Sequence, residues 1–221
     1  KLCKIDGIKW IRFLYAYPET IDDKLIKVVK KNEKICKYFD IPIQHISDSV
    51  LKRMNRKSNS ESIELLIKKL REKIPNVIIR TTVMVGFPGE TQEDFEKLCN
   101  FVESAKFDKL GAFAYSKEEG TPAAKLKEQV HPMTKKARYN KIMEIQQKVS
   151  EENLNKYIGK QLEVLVEGKT IDGKYYVCRS YMDVPDIDGL IYLNNSKELK
   201  IGDFVKCTIK SSINEYDLLG E

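Results

Sequence analysis

Apolar positions change their spacing along this chain, and the changes divide it. Up to Val130, short apolar runs alternate with stretches whose apolar residues recur every three or four positions. Trp10–Tyr15 (WIRFLY) reads as a buried strand, which Pro18 prevents from continuing. Thr20, with Asp23 three residues on, predicts a helix start, and Leu25, Val28 and Val29 predict its inner face. Tyr38–Ile43 is a second strand. Ser58 and Glu61 form a capping pattern ahead of Ile63, Leu66, Ile67 and Leu70, and Pro75 ends that helix. The β-branched run Val77–Val85 breaks at Gly86-Phe-Pro-Gly89. Thr91 and Asp94 then cap a helix that carries Phe95, Leu98, Cys99 and Val102 inward. Lys109–Tyr115 is a fourth strand. Four strands separated by helices predict parallel βα units. In such units a site forms at the C-terminal ends of the strands.

A long helix with a stripe of Ile142, Ile145 and Val149 is expected over 134–157. Beyond it the period becomes two. QLEVLVEG, KYYVCRSY, GLIYL, DFVKCTIKSS and EYDLLGE are short strands between Gly- and Asp-rich turns. Five short strands predict a small antiparallel barrel of the OB-like class. The domains are therefore expected at 1–154 and 155–221.

Composition narrows the class. A hydrophobic fraction of 42% allows a proper core. No apolar run has the roughly 20 residues of a membrane span, and the first residues lack the apolar centre of a signal peptide. A cytoplasmic protein without membrane partners is expected. The chain starts mid-pattern with Lys1, as an excised piece would. Cys3, Cys36, Cys99, Cys178 and Cys207 are five widely spaced thiols. Reduced thiols in a cytosolic protein are expected, with no local metal knuckle. Net charge is +6. From Ile158 onward, eight Lys/Arg face eleven Asp/Glu, a net of −3. The basic remainder is either a solvated surface or a face suited to an RNA-rich partner.

WIRFLYAYP, DIPIQHIS with LKRMNR, RTTVMVGFPGET and FAYSKEEGTPAA occur in one order, followed by the β-rich tail. This ordered set resembles the radical S-adenosylmethionine (SAM) methylthiotransferases, and the tail resembles their TRAM domain. The resemblance implies an α/β fold: an open, partial TIM-like radical SAM barrel, then the small all-β TRAM barrel. It implies SAM and two 4Fe–4S clusters in the full-length enzyme, with SAM cleaved to a 5′-deoxyadenosyl radical and a methylthio group installed at a C–H bond. The cluster-binding CxxxCxxC triplet is absent here. The chain is thus expected to be a C-terminal piece that ligates no cluster, has no catalytic residue of its own and is inactive alone. Its open sheet is expected to self-associate.

Within that resemblance, Gln44 is a candidate for a SAM ribose or carboxylate, because its amide both donates and accepts. Arg80 lies in a buried run and needs a counter-charge; SAM's carboxylate and a barrel Glu are alternatives. Gly86, Gly89 and Glu90 follow that strand where adenine would sit, in a turn where glycine also permits a tight bend. His45, Arg53, Arg56, Tyr115 and Ser116 are candidate lining residues. The family acts on tRNA adenosine or on an aspartate β-carbon of a small-subunit ribosomal protein. Phosphate backbones call for Lys and Arg, whereas the tail is acidic. Asp183, Asp186 and Asp188 in RSYMDVPDIDG suit docking to a basic protein. The expected partners are that ribosomal protein and an electron donor for the cluster, with tRNA less favoured. A non-catalytic RNA- or ribosome-binding module is the alternative of a different class.

Overall fold

A computed structural model describes all 221 residues. They form two compact units, 1–146 and 147–221.

The first unit holds a three-stranded parallel sheet in the order β1 (Tyr38–Gln44), β2 (Ile78–Val85), β3 (Lys109–Ala114). Helices α1 (Asp23–Lys31), α2 (Asp48–Arg53), α3 (Ser60–Lys73) and α4 (Gln92–Ala105) intervene, and α5 (Pro132–Asn155) follows. One sheet face carries Phe39, Ile41, Ile79, Val83 and Ala112 into the core, against Ile63, Leu70, Leu98 and Val102 of the helices. Each fully buried side chain of this kind contributes about 1.5–3 kcal/mol. The opposite face is polar at one end. There Asp40 pairs in register with Arg80 and Arg80 with Lys109, while Thr82 faces Gly111 and Met84 faces Phe113.

The first of the four expected strands, Trp10–Tyr15, is not one. Its sole ladder contact is a parallel bridge from Ile11 to Ile35, and none of its residues is buried. Asp40 holds its end instead: Tyr15 N donates to Asp40 Oδ2 (3.2 Å) and Ala16 N to Asp40 O (2.9 Å). Tyr15 lies in the left-handed region (φ 59°), so the segment turns away instead of pairing on.

Helix starts follow side-chain chemistry more closely than spacing. Asp22, not Thr20, caps α1 by accepting from Leu25 N, and Ile26 and Val29 are the buried pair while Val28 is exposed. Thr20 ends a short 3-10 turn. Asn59 and Ser62 make the reciprocal cap of α3. Thr91 and Asp94 make the cap of α4 as the sequence predicts. At the far end of α4, Arg71 donates to Ala105 O and Lys106 O, satisfying carbonyls the helix leaves open.

The second unit is a closed barrel, β4 (Gln161–Lys169), β5 (Tyr176–Ser180), β6 (Ile191–Leu193), β8 (Leu218–Gly220) and β7 (Phe204–Ser212), in that order. It is antiparallel except that β6 and β8 run parallel. Val164, Val166, Cys178, Ile191 and Cys207 fill it at period two. Gly220 is required by packing: a Cβ there would strike Cys207 Sγ. No helix of either unit is long and apolar enough to cross a membrane.

Candidate functional site

The C-terminal ends of β1, β2 and β3 gather the polar residues that stand out in sequence. β1 ends irregularly. Pro42 has no N–H to give the ladder, the register with β2 shifts between Ile41 and Gln44, and Gln44 adopts φ 68°. A non-glycine residue held left-handed costs of order 1–3 kcal/mol and persists where its surroundings over-determine it. No hydrogen bond to the rest of the chain occupies the Gln44 carboxamide.

The next residue, His45, is wholly buried. Its Nδ1 accepts from Ser47 N at 2.9 Å, so in the neutral ring the proton sits on Nε2, 3.6 Å from Glu90 Oε2. Glu90 is the hub of the region. Its Oε2 accepts from Gly86 N (2.6 Å) and Phe87 N (3.3 Å), folding the carboxylate back beneath the turn after β2. Its Oε1 accepts from Arg138 Nη1 of α5 at 2.7 Å, and the same guanidinium reaches Glu90 O at 3.1 Å. Gly86 and Gly89 have φ of 71° and 83°. The space a Cβ would need is filled by Lys135 at Gly86 and by Arg53 at Gly89. The chain's own packing thus accounts for both glycines.

Arg80 Nη1 meets Asp40 Oδ1 at 3.1 Å, and Asp40 is 1% exposed. Arg80 thus meets a barrel aspartate, where SAM's carboxylate and a barrel glutamate were the alternatives. Arg53 pairs with Glu128 at the surface. Arg56 donates to Pro42 O (3.2 Å) and lies over the Tyr17 ring, tying the loop after α2 to the β1 bulge. Tyr115 packs edge-on against Phe87 at 5.2 Å between centroids, with a buried hydroxyl that has no partner. Ser116 is exposed beside it.

Sequence reasoning missed Arg138, Asp40 and helix α2. Arg138 sits on a polar helix face, where nothing in sequence marks it as buried. Asp40 was visible as a charge inside an apolar strand, the same signal that singled out Arg80.

In the second unit the three aspartates of the β5–β6 connection separate in role. Asp183 is buried; its Oδ2 accepts from Ser180 N (3.2 Å) and Ser180 Oγ (2.9 Å). Asp188 Oδ2 accepts from Val184 N at 2.9 Å. Asp186 is exposed, at φ 60°. Two of the three shape the loop, and one faces solvent.

No three His, Cys, Asp or Glu side chains converge as a metal site. Burial pushes the thiols of Cys178, Cys99 and Cys207 up to about 12, 11 and 11, the opposite of what a thiolate ligand requires. This donor set does not fit an iron–sulfur cluster.

The Radical SAM superfamily profile matches residues 1–102, and the TRAM domain profile matches 158–221. The chain thus joins a radical SAM segment to a TRAM domain. SAM and 4Fe–4S chemistry go with that family. Among curated proteins, the chain is 61% identical over 222 residues to the ribosomal protein uS12 methylthiotransferase RimO of Alkaliphilus oremlandii (strain OhILAs). It is 54% identical to the protein of that name from Thermoanaerobacter sp. (strain X514). Each alignment covers 100% of this chain and 50% of the relative. The chain thus spans about half the length of the curated relatives it matches. A solved structure, coproporphyrinogen III oxidase (HemN) from Escherichia coli, aligns with TM-score 0.49 and 21% identity over 61% of this chain and 30% of that one.

Proposed function

We propose that this radical SAM–TRAM chain works as the C-terminal half of a methylthiotransferase that modifies the β-carbon of an aspartate in ribosomal protein uS12. The observation that carries this is 61% identity over the whole chain to a protein named as a ribosomal protein uS12 methylthiotransferase. The clusters, held by residues outside this chain, and SAM supply the radical chemistry. The work left to this half is binding, orientation and exclusion of water.

Gln44 is the residue we assign to SAM. Its carboxamide is uncommitted, and a strained backbone fixes it at a strand end. Glu90 acts by holding the Gly86–Gly89 turn, and Asp40 acts by fixing the Arg80 guanidinium on the face opposite the helices. Arg56 ties down the β1 bulge, and His45 lies beneath it. Residues 1–154 complete the barrel and 155–221 serve as the TRAM domain. Within that domain Asp186 is the docking carboxylate toward a basic protein, while Asp183 and Asp188 present its loop. A cytoplasmic enzyme with an external electron donor follows from the same reading.

The test uses the full-length enzyme with its clusters rebuilt, supplied with SAM and a reductant. Offered uS12 and tRNA together, it should add the methylthio mass to an aspartate-bearing peptide of uS12. A methylthiolated adenosine with unmodified uS12 would overturn the assignment. Asp186→Lys should weaken association with uS12 in a pull-down, and unchanged association would remove Asp186 from the docking surface.

A further inference from the structure

The first two turns of α5 grip the turn after β2. Lys135 and Arg138 stand three residues apart and so share a helix face. The Lys135 stem fills the space that a Cβ on Gly86 would need, and its Nζ donates to Tyr115 O at 2.9 Å. Arg138 is buried. Its Nη1 donates to Glu90 Oε1 (2.7 Å) and to Glu90 O (3.1 Å). Its Nη2 lies 3.5 Å from Gln92 Oε1, and its guanidinium lies over the Phe95 ring. One side chain therefore holds Glu90 by backbone and carboxylate together, and meets the first turn of α4 as well.

The second carboxylate oxygen reaches two strand ends. Glu90 Oε2 accepts from Gly86 N and Phe87 N, the first amides after β2. The same oxygen lies 3.6 Å from Nε2 of His45, the residue that follows Gln44. His45 is wholly buried, and its Nδ1 accepts from Ser47 N, so the ring cannot turn away without orphaning that amide. Glu90 is thus shared between the end of β1 and the turn after β2. All of these contacts are made within residues 44–138, whatever a longer protein adds around them. Amide hydrogen bonds to a charged acceptor are about twice as strong as neutral ones. A buried carboxylate needs a counter-charge to keep them, and the cation that meets this one is Arg138.

We propose that Arg138 is a positioning residue for SAM: by pairing with Glu90 it fixes the Gly86–Gly89 turn and, through His45, the Gln44 carboxamide that meets SAM. This rests on the assignment of Gln44 to SAM in the proposed function, and not on the identity of the substrate. Arg138 itself touches neither cofactor nor substrate. Its effect passes through Glu90, so it depends on charge at that place and not on helix packing alone.

The experiment uses the full-length enzyme with its clusters rebuilt, and measures SAM affinity by equilibrium dialysis beside the unfolding midpoint in urea. Arg138→Met should raise the SAM dissociation constant about tenfold or more, because small misplacements of binding groups are costly. Both Glu90 contacts come from Nη1 alone, so a single ammonium can replace them, and Arg138→Lys should stay within about threefold of wild type. The double variant Glu90→Gln/Arg138→Met removes the orphaned charge. Its midpoint should rise toward wild type, yet its SAM affinity should remain about tenfold weak, because no charge-assisted bond holds the turn. If Arg138→Met does not fold, this double variant carries the same comparison. Arg71→Met, which frees the Ala105 and Lys106 carbonyls at the far end of α4, is the stability control and should leave SAM affinity unchanged. At saturating SAM the KM for uS12 should move by no more than about twofold in any of them. SAM affinity that recovers with stability in the double variant, or falls equally in Arg71→Met, would make Arg138 a merely structural residue and overturn the inference. Unweakened SAM binding in Arg138→Met would also overturn it and leave the proposed function standing. A wild type that methylthiolates tRNA and not uS12, with the pattern of SAM affinities intact, would overturn the proposed function alone.

Discussion

Replacing Arg138 with Met tests the buried hub directly. Glu90 has no side-chain exposure and Arg138 has 7%, so their ion pair lies out of water. Met keeps the aliphatic stem but removes the positive charge and both hydrogen bonds to Glu90. The remaining neighbours of the carboxylate are two backbone N–H groups and His45 at 3.6 Å. A buried charge stripped of its partner costs about 3–5 kcal/mol. Arg138 Nε is itself buried without a partner, which places this pair toward the lower end, about 3 kcal/mol. With a urea slope of about 2 kcal/mol/M, the unfolding midpoint should fall by about 1.5 M. Trp10 is the one tryptophan and lies in the first unit, so its fluorescence reports on that unit alone. The double variant Glu90→Gln/Arg138→Met should recover about 2 kcal/mol relative to the sum of the singles, because the orphaned charge is gone. A single-variant cost under about 1 kcal/mol, or strict additivity in the double, would refute the claim that Arg138 neutralises Glu90.

Two further outcomes follow from titrating groups. Burial raises the Asp94 carboxyl, but hydrogen bonds from Ser47, the Thr91 backbone, the Thr91 hydroxyl and Ser49 outweigh it and lower the pKa from 3.8 to about 2. A depressed carboxylate stabilises the fold above its unfolded value and loses that contribution as pH falls through its folded one. Asp94 should therefore supply about 2 kcal/mol that disappears between about pH 4 and pH 2; Asp94→Asn should flatten that window in acid-unfolding curves, and an unchanged curve would contradict it. The thiols of Cys99, Cys178 and Cys207, raised by burial to about 11, 12 and 11, should resist iodoacetamide at pH 8 in the native protein and react once it is unfolded in urea. Native-state labelling of Cys178, found by peptide mapping, would show that the barrel opens.

Periodicity made α3 and α4 legible almost to the residue. Their apolar positions, Ile63 to Leu70 and Phe95 to Val102, report one face of a helix that packs in one direction. It misled at Trp10–Tyr15, because an apolar run says that a segment avoids water, not that a neighbour offers a ladder. There the chain meets β1 through hydrogen bonds to Asp40 and through the contacts of Arg12 with Tyr38 and Phe13 with Phe39, long-range contacts that no local pattern encodes. Helix α2 went unseen for the opposite reason. Its six residues are too few to display a period, and Val50 and Leu51 alone face inward.

The site was legible as a set of positions and not as a set of roles. A polar residue in an apolar strand or at its end must be satisfied, and sequence shows that need without showing who meets it. In this fold the chain itself meets it for Arg80, Glu90 and Asp183, through Asp40, Arg138 and Ser180 respectively. These side chains are thus held in place by partners within the chain. Among the polar groups at the strand ends, the Gln44 carboxamide after β1, the neighbouring His45 Nε2 and the buried Tyr115 hydroxyl after β3 make no hydrogen bond. A buried hydroxyl without a partner costs about 1–3 kcal/mol unless something arrives to pair it. Unmet polar groups at the ends of parallel strands lie where this architecture receives its ligands.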